Sequence, residues 1–156
     1  MEKSEVLRKV ELFLDLNDRE IQTLAGSSKE ENFADGNVIF KEGDTGGKMY
    51  IITEGNVKIY KTLLTGQRKT LASLKPGDLF GELAVFDGLP RSATAVASGS
   101  AALISIETGG LTAIFRANAE MGIKIMASMI KNVSKRLRVT DEKFDENVMW
   151  NITAKL

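Results

Sequence analysis

Turns centred on glycine recur through the middle of the chain, and short runs of alternating apolar residues lie between them. The turns are Asp35-Gly36, Glu42-Gly43-Asp44, Glu54-Gly55-Asn56, Thr65-Gly66-Gln67 and Pro76-Gly77-Asp78. The runs predict strands at residues 31–33, 38–40, 49–53, 57–61, 69–74, 93–97 and 103–107. Many short strands joined by such turns indicate a sandwich or barrel, and their number fits a jelly roll. We therefore expect residues 29–109 to form one rolled β unit.

Both ends of the chain have helical periodicity instead. In residues 1–28, Val6, Val10 and Phe13 recur at helical spacing, and Asn17 is followed three residues later by Glu20. The latter pair is typical of a capping box at a helix start. The sequence therefore predicts a mainly β, α+β protein: a jelly-roll β-barrel with N-terminal helices, C-terminal helices over residues 110–150, and a tail or hinge at 151–156.

One face of the C-terminal helical segment carries a regular apolar stripe with spacings of three and four. Its members are Ile123, Met126, Ile130, Val133, Leu137, Thr140 and Phe144. This is the a/d pattern of a coiled coil, with one polar member. The stripe either packs on the β unit or pairs with a second copy, and its strict spacing favours a parallel homodimer.

Composition removes several classes of function. The chain has no cysteine and no histidine, so disulfides, thiolate metal sites and the usual histidine general base are excluded. Lys+Arg and Asp+Glu are both 21, which argues against a general nucleic-acid binder. We expect no metal, no catalytic constellation and no enzyme activity. The N-terminus lacks a signal-peptide pattern and no apolar run could span a membrane, so a cytoplasmic protein is expected.

A short stretch combines the groups that a nucleotide with one phosphodiester requires. Phe80-Gly81-Glu82-Leu83-Ala84 is followed by Pro90-Arg91-Ser92-Ala93-Thr94. Amides at a helix start, together with an arginine, bind an anion. A carboxylate is a good acceptor for a sugar hydroxyl. Residues 80–94, hereafter the cassette, therefore predict a site for a phosphate and a free 2′-hydroxyl.

The cassette resembles the phosphate-binding cassette of the cyclic nucleotide-binding domain family, which includes catabolite activators, protein kinase regulatory subunits and gated channels. The resemblance implies that Arg91 binds the phosphate and Glu82 the 2′-hydroxyl. It implies that backbone amides of Gly81, Glu82, Leu83 and Ala84 face the phosphate. Ser92 is expected to contact the phosphate or a purine edge.

Two apolar residues, Ile59 and Leu71, are expected to flank the base or sugar, although ordinary core packing explains them equally well.

Residues 135–143 resemble the long C-terminal helix of catabolite activators. The resemblance implies that Thr140 contacts the base and Arg136 lies near the pocket carboxylate. The alternatives are a polar residue that fixes helix register and a solvated helix face. Asp141 replaces a serine that contacts the base from the partner subunit. Trp150 is a weaker candidate for an aromatic cap on the base.

The resemblance implies a cyclic nucleotide receptor, with cAMP as the expected ligand and cGMP as the alternative. It would act as a homodimer, signal by repositioning its C-terminal helix, and pass the signal to an unknown effector protein. No recognition helix follows the long helix, so direct contact with nucleic acid is not expected, nor is contact with a membrane. Two alternatives stay open: a nucleotide-free dimerising module, or the sensor part of a transcription regulator without its DNA-binding domain.

Overall fold

The computed structural model describes the backbone of residues 2–153 and the side chains of residues 2–142. The N-terminal segment contains α1 (Lys3–Leu7), a 3₁₀-helix (Glu11–Phe13) and α2 (Asp18–Ser27). The strands are β1 (Lys29–Phe33), β2 (Val38–Phe40), β3 (Lys48–Thr62), β4 (Arg68–Leu74), β5 (Leu79–Phe80) and β6 (Thr94–Glu107). The other helices are α3 (Leu83–Asp87), α4 (Thr108–Ala117) and α5 (Ala119–Thr153).

Strands β3 and β6 are long and pair antiparallel with each other along most of their length. At one end they are flanked by β5 and β1, and at the other end by β4 and β2. Each end is thus a four-stranded antiparallel layer, and the two long strands pass from one layer to the other. This arrangement confirms the predicted jelly roll.

The long strands correct two predictions. Residues 49–53 and 57–61, predicted as separate strands, belong to the single strand β3, and residues 93–97 and 103–107 lie in β6 or directly beside its start. Gly55 does not form a connecting turn, because the register of β3 against β6 shifts there and the strand continues. Its φ is +75°, and an added Cβ would lie 2.0 Å from the Ser100 carbonyl oxygen. The glycine therefore marks a bulge at which the strand bends.

The N-terminal segment packs along α5 through apolar contacts and a row of ion pairs. Asn17 and Glu20 form the predicted capping box of α2, with hydrogen bonds of 2.8 and 3.0 Å. The buried Glu20 carboxylate also accepts from Lys124 at 3.1 Å. Farther along the helix, Lys131 lies 3.8 Å from Asp15, and Lys135 lies 3.7 Å from Glu11. The segment and the helix therefore run side by side in opposite directions.

Helix α5 has two different apolar faces. Met121, Ile125 and Met129 are buried in the core that the N-terminal helices share with the β roll. The other face exposes Ile123, Met126, Ile130, Val133 and Leu137, with exposed fractions of 42–69%. From Ile123 to Leu137, the apolar residues of the predicted stripe therefore do not pack on the β roll of their own chain. The side chains of Phe144 and Trp150 lie outside the described residues. Within the described part of the chain, no helix is long and apolar enough to cross a membrane.

Candidate functional site

A cavity of about 460 Å³ lies between the cassette, strands β2 to β4 and one residue of α5. This volume is in the usual range for small-molecule sites. The residues that line it are mostly apolar, with a few polar groups among them. They are Phe40, Ile59, Ala72, Leu74, Leu79, Phe80, Gly81, Glu82, Leu83, Ala84, Asp87, Leu89, Pro90, Arg91, Ser92, Ala93 and Arg136.

The guanidinium of Arg91 is buried at this cavity, with 5% of the residue exposed. Its Nη1 donates to the Gly81 carbonyl at 2.7 Å, and its Nη2 donates to the Lys48 carbonyl at 2.6 Å. Among the described side chains, no carboxylate lies within ion-pair distance of it, and its buried Nε has no acceptor. A buried cation without a counter-charge is costly, and an anion in the cavity would remove that cost.

Loss of hydration lowers the pKa of the Arg91 guanidinium, whereas the charges of Tyr50, Asp44 and Glu82 raise it. An arginine nevertheless stays protonated in proteins. The site therefore presents a permanent positive charge.

Backbone hydrogen bonds fix the loop that carries Arg91. Its amide donates to the Asp44 carbonyl at 2.8 Å, and its own carbonyl accepts from the Gly43 amide at 2.9 Å. The predicted turn at Glu42-Gly43-Asp44 thus holds the cassette loop. On the other side, Gly46 packs against Ala84, since a Cβ on this glycine would lie 2.1 Å from the Ala84 Cβ.

The Glu82 carboxylate is the second buried charge, with 4% of the residue exposed. Glu82 is the N-cap residue of α3, and its side chain makes no cap hydrogen bond. Instead, its Oε1 accepts from the Arg136 Nη1 at 2.6 Å. Arg136 lies on α5, so this bond joins the cassette to the C-terminal helix.

The cassette residues predicted from the sequence do meet at the cavity. Gly81, Leu83, Ala84 and Ser92 line it together with the two buried charges, and Ile59 lines it from β3. The Leu83 and Ala84 amides lie in the first turn of α3, where an amide has no acceptor within the helix. They are therefore available to an anion, as the sequence predicts.

Two other predicted residues lie elsewhere. Leu71 is 51% exposed and is not part of the cavity wall, which β4 forms through Ala72 and Leu74. Alternate residues of a strand face opposite sides, and the register of β3 against β4 shifts after Ile59. Leu71 therefore lies on the face of β4 that points away from the cavity, contrary to the prediction. Thr140 is exposed, and its hydroxyl donates to the Arg136 carbonyl of its own helix at 2.9 Å.

Sequence reasoning missed Phe40, whose ring lies beside Arg91. The guanidinium carbon is 4.0 Å from the centre of this ring. Phe40 ends a three-residue strand just before the turn at Glu42-Gly43-Asp44. Its position next to that turn is the only feature of the sequence that could have indicated a place in the site. A single phenylalanine is not a recognisable motif.

The arrangement suits a ligand with three parts. A buried cation and helix-start amides bind an anion, a buried carboxylate accepts a hydroxyl, and apolar walls contact a flat ring. Among the side chains described, no group of three or more acidic residues is placed to hold a metal ion.

These features define a small-molecule binding domain of the jelly-roll class. Residues 30–118 match the sequence profile of the cyclic nucleotide-binding domain. The chain therefore belongs to the cyclic nucleotide-binding domain family.

Individual relatives agree with this assignment. The chain is 33% identical over 138 residues to the cyclic AMP receptor protein of Thermus thermophilus, with 86% of this chain and 60% of that protein covered. It is 26% identical over 152 residues to the CRP-like cAMP-activated global transcriptional regulator of Mycobacterium tuberculosis, with 97% and 66% covered. The chain thus spans about three fifths to two thirds of the length of these relatives, both of which are named as regulatory or receptor proteins.

A solved structure has the same fold. The N-terminal domain of a transcriptional regulator from Streptomyces coelicolor A3(2) superposes with a TM-score of 0.77 at 34% identity, with 89% of this chain and 94% of that chain covered.

Proposed function

We propose that the protein is a receptor for a 3′,5′-cyclic nucleotide, and specifically for cAMP. The single observation that carries this proposal is the Arg91 guanidinium, which is buried at the cavity and pairs with no carboxylate among the described side chains. A cyclic phosphodiester has one negative charge and would compensate it. The names of the Thermus and Mycobacterium relatives, which both specify cyclic AMP, support the choice of ligand.

In this proposal each part of the nucleotide has its own partners. Arg91 and the Leu83 and Ala84 amides bind the phosphate, and the Glu82 carboxylate accepts from the ribose 2′-hydroxyl. Ile59, with Ala72 and Leu74, provides an apolar wall for the base. Ser92 is exposed at the edge of the cavity, where its hydroxyl can donate to the phosphate or contact the purine.

We also propose that α5 transmits the signal. The Glu82 carboxylate is bonded to Arg136 of that helix, so a ribose hydroxyl that binds Glu82 alters the contact between cassette and helix. A ligand shifts a conformational equilibrium only through different contacts in the two states. The exchange of partners at Glu82 would supply that difference, and Thr140, one turn beyond Arg136, would move with it. The output passes to an effector protein.

The exposed stripe of α5 supports a homodimer. Five large apolar residues on one helix face, at the spacing of a coiled coil, are suited to a second copy of the same helix. Light scattering is expected to give twice the chain mass for the wild type. The control variant Arg138→Glu, which introduces a glutamate outside the stripe, is expected to give the same mass. Leu137→Glu is expected to give the mass of one chain. A monomeric wild type would contradict the dimer.

Calorimetric titration of nucleotide-stripped protein tests the receptor itself. We expect cAMP to bind at micromolar concentration or tighter, cGMP to bind more weakly, and 5′-AMP, which has no cyclic diester, to bind weakest. If no cyclic nucleotide produces heat or a shift in melting temperature, the receptor proposal is wrong. That result would favour the alternative that the protein is a dimerising module that binds no nucleotide.

A further inference from the structure

The Arg91 guanidinium has an unusual set of neighbours for a buried cation. Its two terminal nitrogens each donate to a backbone carbonyl, at Gly81 and Lys48. Carbonyl oxygens fix the positions of the nitrogens but bring no full negative charge. Among the described side chains no carboxylate pairs with it, whereas the π face of Phe40 lies 4.0 Å from the guanidinium carbon.

Phe40 is itself held in place by aromatic packing. Its ring centre lies 6.0 Å from that of Tyr50 and 5.9 Å from that of Phe80, and those two rings stack on each other at 5.4 Å. All three belong to the core at the cassette end of the roll. The face that Phe40 offers to the guanidinium is therefore part of a rigid cluster.

Gly81 shows how closely these groups are packed. A Cβ at this position would lie 2.8 Å from the Arg91 Nη1 and 3.2 Å from the Phe40 Cε1. The Gly81 backbone therefore lies close to both the Phe40 ring and the Arg91 guanidinium. Its φ of +74° is a conformation that glycine adopts readily. The three residues are therefore close neighbours, with no free space for a side chain at position 81.

We propose that Phe40 is a positioning residue for anion binding: its ring fixes the plane of the Arg91 guanidinium and maintains it as a preorganised cation before ligand arrives. This inference rests on the proposed function, since the anion concerned is the cyclic phosphate. A preorganised group binds more tightly because ordering it costs nothing at the moment of binding. Without the ring, the guanidinium loses its stacking partner, and its side chain gains alternative rotamers.

The test compares Phe40→Leu with three other variants by calorimetric titration with cAMP. Phe40→Leu is expected to bind cAMP about tenfold more weakly, the size of a partly desolvated cation–π contact. Phe40→Trp, which keeps a π face, is expected to restore most of the affinity. Phe33→Leu is the matched control, because Phe33 packs on the same core but does not line the cavity. It should leave affinity unchanged.

An Arg91→Gln background separates positioning from direct ligand contact, since Phe40 also lines the cavity. If the ring acts through the guanidinium, Phe40→Leu should weaken binding much less in that background than in the wild type. An equal loss in both backgrounds would overturn the inference.

A measurement without ligand distinguishes this failure from failure of the receptor proposal. In NMR spectra of the nucleotide-stripped protein, the Phe40 ring current should shift the Arg91 guanidinium protons upfield. That shift should disappear in Phe40→Leu and persist in Phe33→Leu. An unchanged resonance in Phe40→Leu would overturn the inference even if wild-type protein binds cAMP, whereas a wild type that binds no cyclic nucleotide would overturn the receptor proposal alone.

Discussion

The two buried charges of the cavity, Arg91 and Glu82, are stabilised in different ways. Arg91 is held within the β roll by two backbone carbonyls and an aromatic face. Glu82 is paired with Arg136, which lies 54 positions away on another element and has a side chain that is 58% exposed. The partners of Arg91 are Gly81, Lys48 and Phe40, none of which lies on α5. The Glu82 contact can change when α5 moves.

In the receptor that we propose, this difference would give the two ends of the cavity separate roles. The Arg91 end would provide a fixed charge and set the affinity for the anion. The Glu82 end already has a partner, so in the proposed receptor a ribose hydroxyl would compete there with Arg136, and this competition would couple binding to the helix. Substitutions at the two ends should therefore change different properties of the protein, and by different amounts.

The largest effect is expected for Arg91→Gln. Loss of a charge-assisted hydrogen bond costs about 1.5–3 kcal/mol, so cAMP affinity should fall by about ten- to 150-fold in titration calorimetry. The melting temperature should stay the same or rise, because the substitution removes a buried cation that has no paired carboxylate. Undiminished affinity would exclude Arg91 from the site.

A smaller effect is expected for Glu82→Gln. The amide is a weaker acceptor than the carboxylate, so affinity for cAMP should fall by about 1 kcal/mol or somewhat more. Affinity for 2′-deoxy-cAMP, which lacks the hydroxyl, should be nearly the same for wild type and variant. Equal losses for both ligands would show that Glu82 does not contact the ribose.

The smallest effect is expected for Arg136→Ala. Its side chain is 58% exposed, and solvent screens an ion pair with an exposed partner, so the free energy of unfolding should change by about 1 kcal/mol or less. Hydrogen exchange in residues 131–142 of the ligand-free protein should nevertheless become faster, because the helix loses its bond to the cassette. Arg138→Ala, on the same helix, is the control. Equal exchange rates in all three proteins would argue against a helix held by Glu82.

The cassette could be predicted because its chemistry is contiguous in sequence. Glu82 and Arg91 lie nine residues apart, and one loop brings both to the cavity. The bend at Gly55 could not be recognised, since a glycine within a strand gives the same pattern as a glycine turn. Leu71 was misplaced because one bulge changes which residues face inward. The role of Phe40 could not be predicted, because its contact with the cassette joins residues that are far apart in the sequence.

The N-terminal segment has a consequence for the order in which the molecule assembles during synthesis. Glu20 bonds to Lys124, 104 positions later in the chain, and the bonds from Asp15 and Glu11 reach farther still. At typical translation rates, about 5 to 25 seconds separate the emergence of these partners from the ribosome. Throughout that interval the N-terminal helices lack the α5 residues Met121, Ile125 and Met129, which belong to the same core.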